Sequence, residues 1–163
     1  MIKFKKVNLH DTIQIASDIS EDKQAGTIIF TNLGASLGGI KNEPNVSTKQ
    51  FTLTIKMDQD NSSDYCIKQS IAGFVSVDQG TRAVLIAHLN GKTILKNFEA
   101  SECEEGNDKD FEESIDTPIT GAEYKATFFL IAERDSSDKE ASCNLVVDSL
   151  DLELQAVPSK AKS

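Results

Sequence analysis

Apolar residues recur at every second position through much of this chain, the period of strands that bury one face. In Phe51–Met57, Phe51, Leu53, Ile55 and Met57 share one side and Thr52, Thr54 and Lys56 the other. Ala122–Arg134 places Tyr124, Ala126, Phe128, Leu130 and Ala132 together, and Ile2–Leu9 and Ile71–Val77 alternate in the same way. Cys143, Leu145 and Val147 keep one phase, which resumes shifted by one at Leu150, Leu152 and Leu154. A slip across Asp148–Ser149 predicts a bulge or a strand crossing between sheets. Arg82–Phe98 holds two alternating arms around Asn90–Gly91, the dipeptide best suited to the two positive φ angles of a type I′ hairpin. Its first arm is apolar on both faces, which suits a strand inside a sheet rather than at its edge.

The remaining segments are less regular. Thr12–Ala16 reads as a strand, with a helix over Asp11–Gln24 as its competitor, and Ser17–Gly26 as a polar turn. Thr27–Thr31 reads as a buried strand, and the small residues of Asn32–Gly39 as a loop or bulged strand. Without a GK[ST] sequence or a following helix, those glycines cannot cradle phosphate. Asn42–Lys49 reads as loop. Gly73 marks a bulge or a close neighbour. The sum is eight or nine strands and no helix. That pattern predicts an all-β chain, a two-sheet antiparallel β-sandwich, with a jelly roll preferred over an immunoglobulin-like arrangement. Residues 1–157 are expected to form one domain, with a long acidic loop over 99–121 and a tail at 158–163.

Composition changes this picture at few points. The chain has 163 residues, no Trp and two Tyr, so its core must be mostly aliphatic. Of its net charge of −9, the stretch Glu102–Asp116 supplies −7, while Lys3, Lys5, Lys6, Lys160 and Lys162 make both ends basic. An acidic chain is poorly matched to nucleic acid or to an anionic membrane surface. No apolar run approaches the roughly 20 residues of a membrane helix. The basic Met1–Lys6 is not followed by a signal-peptide core of about 7–15 apolar residues. The chain therefore reads as cytoplasmic, or as exported with its leader removed.

Three cysteines at wide spacing, without a CxxC, make neither a zinc site nor a thioredoxin-like motif. Cys143 lies in a core phase, Cys103 sits among carboxylates that oppose a thiolate, and a Cys66–Cys143 bridge is the one pairing left open. Asp58, Asp60, Ser62 and Asp64 put oxygens at alternate positions, as a calcium loop requires. Ser63 and Gln69 stand where an EF-hand has Gly and Glu, so calcium is an expectation for an irregular loop alone. Glu102, Glu104, Glu105, Asp108, Asp110, Glu112 and Glu113, with Phe111 and Ile115 embedded among them, read as an acidic surface for docking a basic partner.

Catalysis has no motif behind it: GxSxG and HExxH are absent, and His88 shares a strand face with Val84 and Ile86 as a hydrogen-bonded structural histidine does. Sugar hydrolysis by paired carboxylates would lack the aromatic stacking that Trp supplies. The leading expectation is a non-enzymatic protein, needing no cofactor, that contacts other protein chains as an assembly subunit or adaptor. Self-association would occur head-to-tail, basic ends against acidic loop. The alternative is a ligand-binding module, with calcium-assisted carbohydrate recognition.

Overall fold

The computed structural model describes residues 3–9, 15–22, 24–38, 44–57, 65–100, 108–119, 121–135 and 141–156. Eleven strands run through them: β1 Phe4–Leu9, β2 Ile15–Ile19, β3 Ala25–Phe30, β4 Gly34–Gly38, β5 Val46–Met57, β6 Tyr65–Val77, β7 Thr81–Leu89, β8 Lys92–Glu99, β9 Asp108–Pro118, β10 Glu123–Arg134 and β11 Ser142–Ala156. Sheet A has the order β1-β5-β10-β7-β8; sheet B has the order β2-β3-β11-β6-β9, with β4 also on β11. Every pairing is antiparallel.

Without β1, β2 and β4, eight strands remain, in the orders β3-β11-β6-β9 and β5-β10-β7-β8. The first of the eight pairs with the last, the second with the seventh, the third with the sixth and the fourth with the fifth. That nesting is a hairpin ribbon rolled up on itself, and the fold is a jelly-roll β-sandwich.

The alternation accounts for the core. Phe51, Leu53, Tyr124, Ala126, Phe128, Leu130, Leu85 and Leu89 from sheet A meet Ile67, Ile71, Val75, Leu145, Val147 and Leu150 from sheet B, all fully buried. Phe30 packs edge-on against Phe51 and Phe128, with ring centroids 5.4 and 5.6 Å apart. At one end the interior turns polar. Tyr124 Oη donates to Gln69 Oε1 (2.8 Å), Gln69 Nε2 to Thr117 Oγ1 (2.9 Å), and Asn90 Nδ2 to the same Thr117 hydroxyl (3.0 Å). Burial pushes the Tyr124 phenol well above its ordinary value.

Several expectations hold. Asn90 and Gly91 have φ of 50° and 92°, as a type I′ turn requires. The phase slip in β11 is a bulge, with the register against β6 shifting between Val147 and Ser149, and the strand stays in sheet B. Others need correction. Residues 15–19 are strand β2, later in the chain than Thr12–Ala16, and no helix forms there; residues 11–14 lie outside those described. Of the two readings of Asn32–Gly39 the loop is the one that fails: the stretch contains strand β4, whose Ala35 and Leu37 point inward beside Leu33 while Gly34 lets β11 approach. Strand β5 begins at Val46, inside the expected loop.

The largest correction concerns 99–121, where an eleven-residue strand, β9, takes up Asp108–Pro118 of the expected acidic loop, residues 101–107 and 120 lying outside those described. The alternation of Phe111, Ile115 and Thr117 is broken by Glu113, which is partly exposed and pairs with Lys96 of β8 at 2.8 Å. Cys66 and Cys143 cannot bridge. They lie at opposite ends of the β6–β11 ladder, opposite Gln155 and Val77 respectively, roughly 36 Å apart at about 3.3 Å per residue.

Candidate functional site

Strands β3, β11 and β6 lie side by side, and their outward residues form rows across the face of sheet B. Thr27, Asp151 and Ser70 make one row; Ala25, Glu153 and Lys68 make the next. Between these rows and the β2–β3 turn is a groove of about 350 Å³, lined by Ser20, Gly26, Thr27, Lys68, Ser70, Asp151 and Glu153.

Several of these groups are held in place. Thr27 Oγ1 donates to Asp151 Oδ1 at 2.6 Å, fixing one carboxylate oxygen and leaving lone pairs on the other. Ser70 Oγ donates to Glu112 Oε1 at 3.0 Å. Ser20 is locked into the turn: its hydroxyl donates to Asp22 Oδ1 (2.6 Å) and accepts from the Ala25 amide (3.0 Å), and the Gln24 amide also donates to Asp22. The Ser20 hydroxyl and the Gln24 amide hold the Asp22 carboxyl below its ordinary value. One ammonium, carboxylates and hydroxyls thus meet on strands that cannot easily shift, next to a turn tied down by its own side chains.

A second cavity, about 600 Å³, opens at the other end of the sandwich between Arg82, Glu99, Glu133, Arg134 and Asp135. Its charges answer one another more fully. Arg82 pairs with Glu133 at 2.6 Å, and the buried Arg134 bonds Asn45 Oδ1 and the Ala141 carbonyl.

The predicted site residues are dispersed. Asp58, Asp60, Ser62 and Asp64, the calcium expectation, lie outside the described residues, as do Glu102, Glu104 and Glu105. Asp108, Asp110 and Glu112 are exposed on the outward side of β9. Phe111 is not an exposed anchor: it is 7% exposed, its ring 5.3 Å from that of Phe98, and it covers Gly73 across the ladder. Glu113 faces inward to Lys96 and Ile115 packs on the core, so of the described docking residues Asp108, Asp110 and Glu112 share the outward face. His88 is exposed, hydrogen-bonded to Thr93 Oγ1 through Nδ1 (2.7 Å) and edge-on to Phe129. Among the described residues, no three His, Cys, Asp or Glu side chains converge on a point where a metal ion could sit. No helix among them is long and apolar enough to cross a membrane.

The groove residues carry no sequence signature of their own. Lys68 and Ser70 occupy outward positions of a half-buried strand, where polar residues are ordinary. Their convergence with Thr27 and Asp151 comes from strand order, with Thr27 and Asp151 separated by 124 positions.

No protein-family model and no curated protein sequence matches the chain. Among solved structures it is similar to TmCBM61, determined in complex with β-1,4-galactotriose, at 8% identity and a TM-score of 0.34, over 89% of this chain and 88% of that one. It is also similar to the CBM36-1 domain of a multidomain xylanase from the hindgut metagenome of Trinervitermes trinervoides, at 9% identity and a TM-score of 0.34, over 90% and 94%. A third, dimeric latent PorU from Porphyromonas gingivalis, gives 16% identity and a TM-score of 0.30 over 69% of this chain and 10% of that one. At such identities and TM-scores neither ligand nor site transfers, and the jelly roll rests on the strand order of this chain.

Proposed function

We propose that the protein is a non-catalytic binding module whose groove across β3, β11 and β6 takes a polyhydroxylated ligand, an oligosaccharide in the first place. The observation that carries this reading is the groove's composition. Asp151 and Glu153 accept hydrogen bonds, Lys68 donates them, and Thr27 and Ser70, whose protons go to Asp151 and Glu112, accept through their remaining lone pairs. Sugar hydroxyls are paired donors and acceptors, so such a mixture on rigid strands satisfies them at little cost in ordering. Partly exposed Phe74, in line with Lys68 and Ser70 along β6, offers an apolar surface to the ring carbons of a longer ligand.

Calorimetric titration of neutral, acidic and amino oligosaccharides, each with added calcium and with chelator because of Asp58–Asp64, tests the reading. At about 0.3 kcal/mol per heavy atom, a disaccharide-sized ligand binds with Kd on the order of 10 µM. Asp151→Asn and Lys68→Met each weaken binding by about 10-fold, the loss of one charge-assisted hydrogen bond. Absence of binding across the panel at millimolar concentration rejects the proposal, and so does binding that both variants leave unchanged.

A further inference from the structure

The outer face of sheet A is built on a different principle. Leu95 of β8, Ile86 of β7 and Phe129 of β10 stand in one row across the sheet, and Val84 and Ile131 stand in the next. Leu95 is 59% exposed, Ile86, Phe129 and Ile131 are partly covered, and Val84 is buried. Threonines, Gln50 and Asn97 surround this stripe, so its centre carries no charge, the composition of an interface core.

We propose that a second copy of this chain covers the stripe, face to face, about a two-fold axis that follows the Leu95–Ile86–Phe129 row. Charge selects both occupant and orientation. Sheet B's outer face carries Asp108, Asp110, Glu112, Asp116, Asp151 and Glu153 against Lys68, so two sheet B faces repel each other. The sheet A face is nearly balanced and its two ends differ in net sign: Lys56 and Lys125 outnumber Glu123 on one side of Phe129, with Lys125 two rows away along β10, and Glu99 and Glu133 outnumber Arg82, which pairs with Glu133 at 2.6 Å, two rows to the other side. The proposed axis sets Lys125 of each copy over Glu133 of the other, twice per dimer, while Leu95, Ile86 and Phe129 meet their own counterparts. An axis along the strands would instead stack Glu133 on Glu133. Four strands about 4.8 Å apart and seven residues long cover on the order of 450 Å² per copy, at the low end for specific interfaces, so the dimer is transient and micromolar. This inference does not rest on the groove of sheet B, which stays open in the dimer.

Sedimentation velocity from about 5 to 500 µM tests it, a range that brackets a micromolar dissociation constant. A concentration-dependent dimer is expected, and Leu95→Lys raises its dissociation constant by about 10-fold or more while an unchanged melting temperature reports an intact fold. Lys125→Glu and Glu133→Lys each weaken the dimer, and the double variant restores it. A strict monomer over the whole range overturns the proposal. A dimer that Leu95→Lys leaves unmoved overturns it as well, and one sensitive to Leu95→Lys but without rescue in the double variant overturns the orientation.

Discussion

Sheets A and B contribute alike to the interior and differ in almost everything else. In sheet A the four strands β5, β10, β7 and β8 pair residue for residue with no shift of register. In sheet B, β11 carries a bulge, β3 and β4 divide one edge of β11 between them, and Gly73 interrupts the inward row of β6. The outer face over these four strands carries an apolar stripe, and that of sheet B a groove and an acidic surface. The groove thus lies on the sheet whose ladder is interrupted.

The sharpest way to break the comparison is to regularise sheet B at Gly73. A Cβ there would collide with the Val146 carbonyl oxygen and come within 2.5 Å of Phe111 Cζ. Those neighbours are a backbone atom of a central strand and a ring already wedged against Phe98, so neither gives way cheaply. Gly73→Ala is expected to destabilise the fold by about 3 kcal/mol, at the upper end for overpacking. Urea unfolding measures it. A loss under about 1 kcal/mol would mean that β6, β9 and β11 slide apart easily and that the glycine is incidental.

The sandwich was legible in the sequence wherever inward apolar residues held their phase, as in β5, β6, β10 and the β7–β8 hairpin. Even the β11 bulge was legible, because a slip of phase is itself a signal. What failed was the reading of strands whose inward row contains something other than a large apolar side chain. In β4 that row is Ala35 and Leu37 between glycines, and in β9 it includes Glu113, which is partly exposed and meets Lys96 of β8 from the other sheet. Charge density then made a strand look like a solvated loop. The groove lay deeper still, since Thr27, Ser70 and Asp151 become neighbours only through strand order.

The two sheets are bonded as well as packed at Tyr124, whose hydroxyl crosses from β10 to Gln69 on β6. Because burial raises the folded-state pKa of this phenol above its ordinary 10.0, its proton is held more tightly folded than unfolded. That contribution is complete below pH 10 and is lost as pH rises beyond it. Stability is expected to fall by about 1.4 kcal/mol per pH unit above pH 10 on this account. Urea midpoints between pH 9 and about 11.5 follow it, alongside Tyr124→Phe, which should flatten that part of the profile. An equally steep decline in the variant would place the alkaline sensitivity elsewhere and leave the cross-sheet bond a minor term.

The smallest effect is expected at the open seam where edge strand β8 of sheet A faces edge strand β9 of sheet B. Lys96 and Glu113 pair there at 2.8 Å, with side chains 41% and 29% exposed. Water screens such a pair, so its net worth is about 0–1 kcal/mol. Glu113 nevertheless occupies an inward position between Phe111 and Ile115, where an apolar side chain would extend the core. Glu113→Leu should therefore be neutral or stabilise the fold by up to about 1 kcal/mol, because Lys96 is exposed enough to turn into solvent. Lys96→Met should cost at most about 1 kcal/mol, and less in high salt. If Glu113→Leu instead destabilised the protein by several kcal/mol, the charge pair would be an obligatory clasp between the sheets, and the acidity of β9 would serve the fold before it served any surface.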